Sequence, residues 1–454
     1  MHITYLTGNH RPDQDGVADY LANLRSHLHR RDITTTVLTT HDSARTLADP
    51  TVQGALSQWK VPQLIPLVQR ILATPTDLLH IQHAAGSYRF ERSVFLLPLL
   101  LRMAGYRRPI VTTAHEYGWW EWQPRWFPAR WLENLKEWGQ ARTWWDREDG
   151  FLLTGSDAIL TTNENITRIM QERLPKLRDR IATIPIAANL TVAPIDRATA
   201  RPQLRHDCRW PQDAAVVAFF GFLHPVKGIE PLLQGFRQVV NRHPQARLLL
   251  MGGIETLSLG GKDAEQYWQK VQAQIRDLGL TDRVHCTGYI DADRASRYLS
   301  GSDLGVLPFN PGVTLKSGSL LALLAHRLPT IATRTAETDA TLIENQVIVP
   351  VPPRNGAALG DAIAALLQNP QEQQHLATAG HSFVQSFSWT AIADRHHEIY
   401  QRLLTPAAIA DRTTQPAKDY QPPNSSSFPR SMKLSKQVQG EPGKDLQINE
   451  RVLR

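Results

Sequence analysis

The sequence predicts an α/β fold of two domains, each a parallel sheet covered by helices. Three observations carry that expectation. Short β-branched or apolar runs alternate with helical patterns in two successive series, a Pro- and Arg-rich break separates the series, and 454 residues exceed the roughly 100 to 200 of a single ordinary domain.

The first series runs HITYLTG, an amphipathic helix from about Gly16, ITTTVLTT, LLHIQH, PIVTTAHE, DAILTTN and IATIPI. This βαβ rhythm asks for parallel strands, because a crossover helix returns the chain to the same edge. Residues 1–195 form the expected first domain, with a Trp-rich insertion at 117–150. Residues 196–212 contain Pro202, Pro211 and several arginines without sustained periodicity, and read as a linker. The second series, AAVVAFFG, ARLLLMG, RVHCTGY, DLGVLP, LPTIAT and QVIVPV, is spaced by helix-length patterns such as GIEPLLQGFRQVVNRH and spans an expected domain at 213–387. A terminal helix at 388–404 and a Pro-, Ser-, Gln- and Lys-rich tail at 405–454, expected to be disordered, complete the chain.

Composition narrows the function. A 42% hydrophobic, 20% charged chain buries sizeable cores, and its net charge of +7 suits an anionic ligand without indicating nucleic acid. With only Cys208 and Cys286 there is no disulfide framework, and no Cys or His spacing resembles a zinc site. The expected setting is a reducing cytoplasm. The start MHITYLTG lacks the basic region and apolar core of a secretory signal, and the longest apolar run, Val94 to Leu101, is far short of the ~20 residues that span a bilayer, so a soluble or membrane-peripheral protein is expected. No G-x-G-x-x-G follows either opening strand, which argues against a nicotinamide enzyme.

Three loops have the form of anion sites. Gly16 and Val17 sit between a strand and a helix, where free N–H groups and the helix dipole favour a phosphate; Gly16 easing the turn is the plainer alternative. Gly221 ends the strand AAVVAFFG, Lys227 follows in the loop, and Gly228 opens a helix, so Lys227 is placed either to grip a phosphate or simply to be solvated. Lys316, Ser317, Gly318 and Ser319 precede the apolar run LLALLA, with a plain Ser N-cap as the alternative to a phosphate seat. Two sheets joined by a linker put a crevice between them, and open α/β sheets bind ligands at their strand carboxyl ends.

In this order, DGVADYLANLRSHL, LLHIQHAAGSYRF, PIVTTAHE, GFLHPVKGIEPLLQGF, RVHCTGYIDADRASRYLSGSDLGVLPF and SLLALLAHRLPTIAT resemble the family 4 glycosyltransferases. These are retaining enzymes of GT-B fold, two Rossmann-like parallel-sheet domains facing a central cleft. The likeness covers residues 1–404. It implies a nucleoside-diphosphate sugar donor and a glycan, lipid-linked or small-molecule acceptor, with no metal or other cofactor required. It places Gly16 and Val17 against the diphosphate, His115 beside the transferred sugar, Lys227 on the diphosphate, Gly288 and Tyr289 near the nucleoside, and the amides around Ser317, Gly318, Ser319 and Leu320 on the phosphates.

The chain departs from the family at two points. Phe222 stands where an Arg is common, and a pair of glutamates spaced eight apart falls on Thr314 and Ala322. Lys316 is the cation available to replace the missing Arg. Glu116 and Glu164 read as solvated loop carboxylates, leaving the acceptor base unassigned.

The expected activity is transfer of a sugar with retention. The alternatives are a non-catalytic nucleotide-sugar or glycan-binding protein on a degenerate scaffold and, further off, a sugar-nucleotide epimerase. Eight of the 12 tryptophans lie between Tyr117 and Gly150 among arginines. They suit either packing of the insertion onto the first domain, to which acidic neighbours such as Glu121, Glu133 and Glu148 incline the reading, or contact with a membrane interface or a sugar acceptor.

Overall fold

The computed structural model describes residues 1–405 except 12–14, 48, 125–127, 189 and 255–258, so the tail from residue 406 and Arg125 and Trp126 of the insertion lie outside the described residues. Strands β1 (His2–Thr7), β2 (Thr34–Thr40), β3 (Val52–Leu56), β4 (Leu78–His83), β5 (Ile110–Ala114), β6 (Ala158–Thr161) and β7 (Ile181–Thr183) form one sheet in the order β3-β2-β1-β4-β5-β6-β7. Strands β8 (Ala215–Phe220), β9 (Ala246–Met251), β10 (Val284–Cys286), β11 (Leu304–Leu307), β12 (Thr330–Thr333) and β13 (Val349–Val351) form a second in the order β10-β9-β8-β11-β12-β13. All pairings are parallel. Every residue of β4 and β9 is buried, as strands covered by helices on both faces must be.

β3 has no counterpart in the sequence reading. It is a five-residue edge strand with Gly54 at its centre, and its pairing with β2 shifts register at Thr39/Thr40, so little alternation survives to announce it.

The expected linker at 196–212 is corrected. Arg197–Asp207 is a helix, opened by Asp196, whose side chain accepts from the Thr199 N–H at 2.7 Å. Pro202 lies within it and obscured the pattern. The helix is held by an ion cluster that no local spacing reveals. Asp303, just before β11, takes Arg197 at 2.9 Å, Arg201 at 2.7 Å and the fully buried Arg205 at 2.7 Å, and also accepts from the Val216 N–H of β8 at 2.8 Å.

The last described helix, Trp389–Leu403, returns to the first domain. Its Trp389 indole N–H donates to the Ala188 carbonyl at 2.8 Å, Asp394 pairs with Arg31 at 2.6 Å, and His396 and Tyr400 are buried against Tyr20, Tyr5 and His80.

In each sheet the strand order reverses once, between β1 and β4 and between β8 and β11. Loops leaving the two neighbours of a reversal run to opposite sides, which opens a crevice at their carboxyl ends. Gly16, His115, Gly221, Lys227 and the Lys316 loop all follow strands at or beside these two points.

Candidate active site

In the second sheet, glycine geometry draws the loops together. Gly221 leaves β8 at φ +138°, and a Cβ there would stand 2.8 Å from the Ser319 hydroxyl, so only glycine lets β8 approach the Gly318–Ala325 helix this closely. Gly228, at φ +68°, caps the Ile229–Arg242 helix, and its backbone lies so near the Pro308 carbonyl that a side chain would collide. The loop between them folds inward and sets the Lys227 ammonium 3.7 Å from the centre of the Phe309 ring. Burial alone pushes Lys227 down to about 8, with no carboxylate among the described residues to restore the charge. Among those residues it is a cation without a counterion.

Ser317 is the N-cap that the plainer reading allowed. Its hydroxyl accepts from the Leu320 N–H at 3.2 Å and its carbonyl from the Leu321 N–H at 3.1 Å. The Leu320 amide implied for phosphate binding is therefore taken, while the Gly318 and Ser319 amides belong to the first turn, whose N–H groups have no partner within the helix, and meet no acceptor among the described residues. Lys316 is exposed directly before them. Gly288, at φ +64°, follows β10 and accepts from the Gly252 N–H at 3.2 Å, and the adjoining Tyr289, 63% exposed, stands beside Gly253 at the end of β9. Thr314 and Ala322 bring no carboxylate, Ala322 being wholly buried, and Phe222 is half-buried after β8.

The first domain corrects one expectation. Asp15, the buried N-cap of the Gly16–His29 helix, accepts from the Val17 N–H at 2.9 Å and takes the Ser87 hydroxyl at 2.6 Å. A carboxylate thus occupies the Val17 amide that the resemblance assigns to a phosphate; only exposed Gly16, with open space around its Cα, remains to approach a ligand. Burial drives Asp15 up, against the Ser87, Val17 and Ala18 hydrogen bonds that favour its charge.

His115, at the end of β5, is half-buried, with its N–H on the His83 carbonyl at 2.9 Å and its ring edge-on to Tyr20 at 5.0 Å. Desolvation first, then His83, Lys316 and His396, depress it to about 3, so it is a neutral imidazole at physiological pH. Its Nε2 lies 2.9 Å from Gln82 Oε1 and must carry the proton, because an amide oxygen only accepts. The ring N–H is thus engaged by Gln82, and the remaining nitrogen, Nδ1, offers a lone pair.

Glu116 departs from its reading as a solvated residue. Oε2 is enclosed with no hydrogen-bond partner among the described residues, and burial raises the carboxyl while Lys316 opposes the rise. The same lysine therefore acts on His115 and Glu116, so the end of β5 and the loop before the Gly318–Ala325 helix face each other across the cleft. Asn165 of the first domain also donates to Glu337 of the second at 2.9 Å. Glu164 is exposed, as expected. The sequence reading missed Asp15, His80, Gln82 and His83. The one available signal was the polar alternation in LLHIQH, an odd pattern for a strand buried on both faces.

The insertion divides its tryptophans. Trp138, Trp144 and Trp145 cluster at centroid separations of 4.9 to 6.2 Å, and Trp120 packs on Phe95 and under the Arg92 guanidinium. Trp119, Trp122 and Trp131 are exposed, at 56, 41 and 69%. The acidic neighbours are mostly spent inside: Glu121 and Glu133 on Lys136 and Arg147, Glu148 on Arg173 and three backbone amides, and Asp146 on Tyr117. No helix among the described residues is long and apolar enough to cross a membrane.

Comparison with known proteins bears on the family and the fold. Residues 14–191 match the family model described as Glycosyltransferase Family 4, and residues 214–369 match that described as Glycosyl transferases group 1. The chain is similar to the phosphatidyl-myo-inositol mannosyltransferase of Mycobacterium tuberculosis, at 27% identity over 42% of this chain and 48% of the relative. It is also similar to the D-inositol 3-phosphate glycosyltransferase of Segniliparus rotundus, at 24% over 58% of this chain and 56% of the relative. The chain thus spans about half the length of these curated relatives. Among solved structures, the sucrose-phosphate synthase of Thermosynechococcus elongatus matches with a TM-score of 0.63 at 19% identity, covering 89% of this chain and 99% of the other. Anabaena HepE in complex with UDP and glucose matches with a TM-score of 0.63 at 17% identity, covering 89% and 100%. With the two family models adjoining across the two facing sheets, the chain belongs to the family 4 glycosyltransferases, in the GT-B architecture with a group 1 domain as its second half.

Proposed function

We propose that the protein transfers a hexosyl group, with retention, from a nucleoside-diphosphate sugar to a hydroxyl of a glycan, lipid-linked or small-molecule acceptor. The observation that carries the reading is Lys227, a half-buried ammonium with no counterion among the described residues, in the loop that Gly221 brings against Ser319 of the Gly318–Ala325 helix. In this scheme Lys227, Lys316 and the Gly318 and Ser319 amides neutralise the departing diphosphate, as fixed positive groups stabilise charge that develops in a transition state. They do so without calling on a metal ion. Tyr289 offers an exposed ring for the base, Gly288 and Gly221 keep the backbone clear, and His115 takes a hydrogen bond from the sugar at Nδ1.

The test is a thermal-shift and calorimetric screen of the full chain against UDP-, GDP-, ADP- and dTDP-sugars, since a ligand bound to the native state raises apparent stability. One nucleotide class should stabilise the protein and turn over with an acceptor. The missing carboxylates at Thr314 and Ala322 motivate the second reading, a nucleotide-sugar binder; tight donor binding with neither transfer nor hydrolysis across a broad acceptor panel would establish that reading instead. Lys316→Ala should weaken donor affinity about 5- to 10-fold, roughly 1 to 1.4 kcal/mol for an exposed charge on a phosphate. An unchanged dissociation constant would remove Lys316 from the scheme.

We further propose that the insertion rests on the face of an anionic membrane, in a cytoplasmic setting. Exposed Trp119, Trp122, Trp131 and Leu135 lie in the same segment as exposed Arg130 and Arg142, and the pairing of Glu121 and Glu133 with Lys136 and Arg147 leaves Glu137 as the exposed acid set against those two arginines. Aromatic and basic side chains together suit the headgroup layer. In flotation, the protein should rise with phosphatidylglycerol-containing vesicles and not with neutral ones, and Trp119→Ser with Trp131→Ser should abolish the effect. Equal flotation of that double variant, or none by the wild type, would refute the contact.

A further inference from the structure

A chain of buried hydrogen bonds runs from the last helix to His115. The Tyr400 hydroxyl lies 2.9 Å from the Tyr5 hydroxyl and 2.6 Å from His80 Nδ1. His80 Nε2 lies 2.8 Å from the Thr113 hydroxyl and 3.2 Å from Gln82 Nε2, and Gln82 Oε1 meets His115 Nε2 at 2.9 Å. Tyr5, His80, Gln82, Thr113 and Tyr400 are all buried. His80 and Gln82 lie two apart in β4 and so share one face of the strand.

The chemistry of the amide sets the direction of every proton. Gln82 Nε2 can only donate, so His80 Nε2 accepts and His80 carries its proton on Nδ1, toward Tyr400. Tyr400 then donates to Tyr5. At the other end Gln82 Oε1 can only accept, so His115 is protonated on Nε2 and bare on Nδ1. A side chain with two opposed roles, locked between two imidazoles, leaves His115 one tautomer and one ring orientation.

We propose that Gln82, oriented by His80 and by Tyr400 of the terminal helix, is the positioning residue that holds His115 as a neutral imidazole with a free Nδ1. Its bearing on turnover rests on the reading that His115 faces the transferred sugar; its bearing on the tautomer does not. The groups that face His115 are His83 from β4, Tyr20 from the Gly16–His29 helix, His396 from the terminal helix and Lys316 across the cleft. Glu116 is the next residue along the chain, but among the described residues no carboxylate counts among the groups that shift His115.

The experiment is nitrogen and carbon NMR on full-length protein labelled at histidine, with His115 assigned by comparison with His115→Gln. Wild type should show His115 as the Nε2–H tautomer, untitrated from pH 8 to pH 5. Gln82→Met, near in volume but unable to hydrogen-bond, should mix the two tautomers while leaving the melting curve close to wild type. Gln82→Glu should raise the His115 pKa by about two units or more, because a carboxylate at hydrogen-bond distance favours the imidazolium. Tyr400→Phe should perturb the tautomer through His80, more weakly. A wild-type Nδ1–H tautomer, or an unaltered His115 signal in folded Gln82→Met and Gln82→Glu, would overturn the proposal. Turnover is read in parallel on the nucleotide sugar found by the screen: Gln82→Met should lower kcat about 10-fold with the donor KM within threefold. A changed tautomer with unchanged kcat would support the relay and refute the placement of His115 at the sugar.

Discussion

Lys227→Ala should lower turnover by about 100- to 1,000-fold, the loss that follows deletion of one preorganised donor to developing negative charge. The geometry argues for the upper part of that range. Lys227 is set by Gly221 and Gly228 on either side of its loop and lies half-buried against the Phe309 ring, where desolvation already lowers its pKa. A partly desolvated charge with no counterion among the described residues is costly in the free protein, and a phosphate relieves that cost. Lys227→Arg should recover only a small part, because the planar guanidinium needs a different approach from a compact ammonium and the loop has little room. The pH dependence has a definite sign. Burial lowers the Lys227 pKa to about 8, so donor affinity should be level below pH 7 and decline as pH rises through 8, when the free protein loses the charge. Lys227→Ala should lack that decline. A variant within threefold of wild type, or affinity flat to pH 9.5, would remove Lys227 from catalysis.

Asp303→Ala should destabilise the second domain by about 3 to 5 kcal/mol, the cost of leaving a buried charge without its partner. Arg205 is 1% exposed; its guanidinium also donates to the Ala214, Gly301 and Arg201 carbonyls, which satisfy its N–H groups but not its charge. The same carboxylate receives the Val216 N–H, so the mutation also strips a hydrogen bond from β8, the strand that leads to Gly221 and Lys227. By contrast, Arg197→Ala, with its side chain 43% exposed, should cost less than about 1 kcal/mol. Urea denaturation of the two variants measures the difference. If Asp303→Ala and Arg197→Ala unfolded within 1 kcal/mol of each other, the cluster would not anchor the Arg197–Asp207 helix.

Much of the architecture was legible in the residues because its determinants are local. β-branched runs such as ITTTVLTT and AAVVAFFG, spaced by amphipathic stretches, report strands and helices directly, and each strand named in the sequence has a counterpart in the structure. Glycines at turns are equally readable: Gly221 and Gly228 stand where the backbone enters positive φ. The helix at Arg197–Asp207 was hidden because its stability comes from Asp303, about a hundred residues away, and its internal proline reads as a break.

The active-site chemistry divides along the same line. By itself the sequence determined two parallel α/β layers, the loops that carry Lys227, Lys316 and His115, and the absence of carboxylates at Thr314 and Ala322. Only the tertiary structure decided the condition of those groups. It spent the Val17 amide on Asp15 and the Leu320 amide on Ser317, left Lys227 without a counterion among the described residues, enclosed an oxygen of Glu116, and tied His115 through Gln82 and His80 to Tyr400, some 285 residues further along the chain. The physical reason is that residue type and spacing act over a few residues, whereas solvation, protonation and hydrogen-bond partnership depend on which distant surfaces the fold presses together.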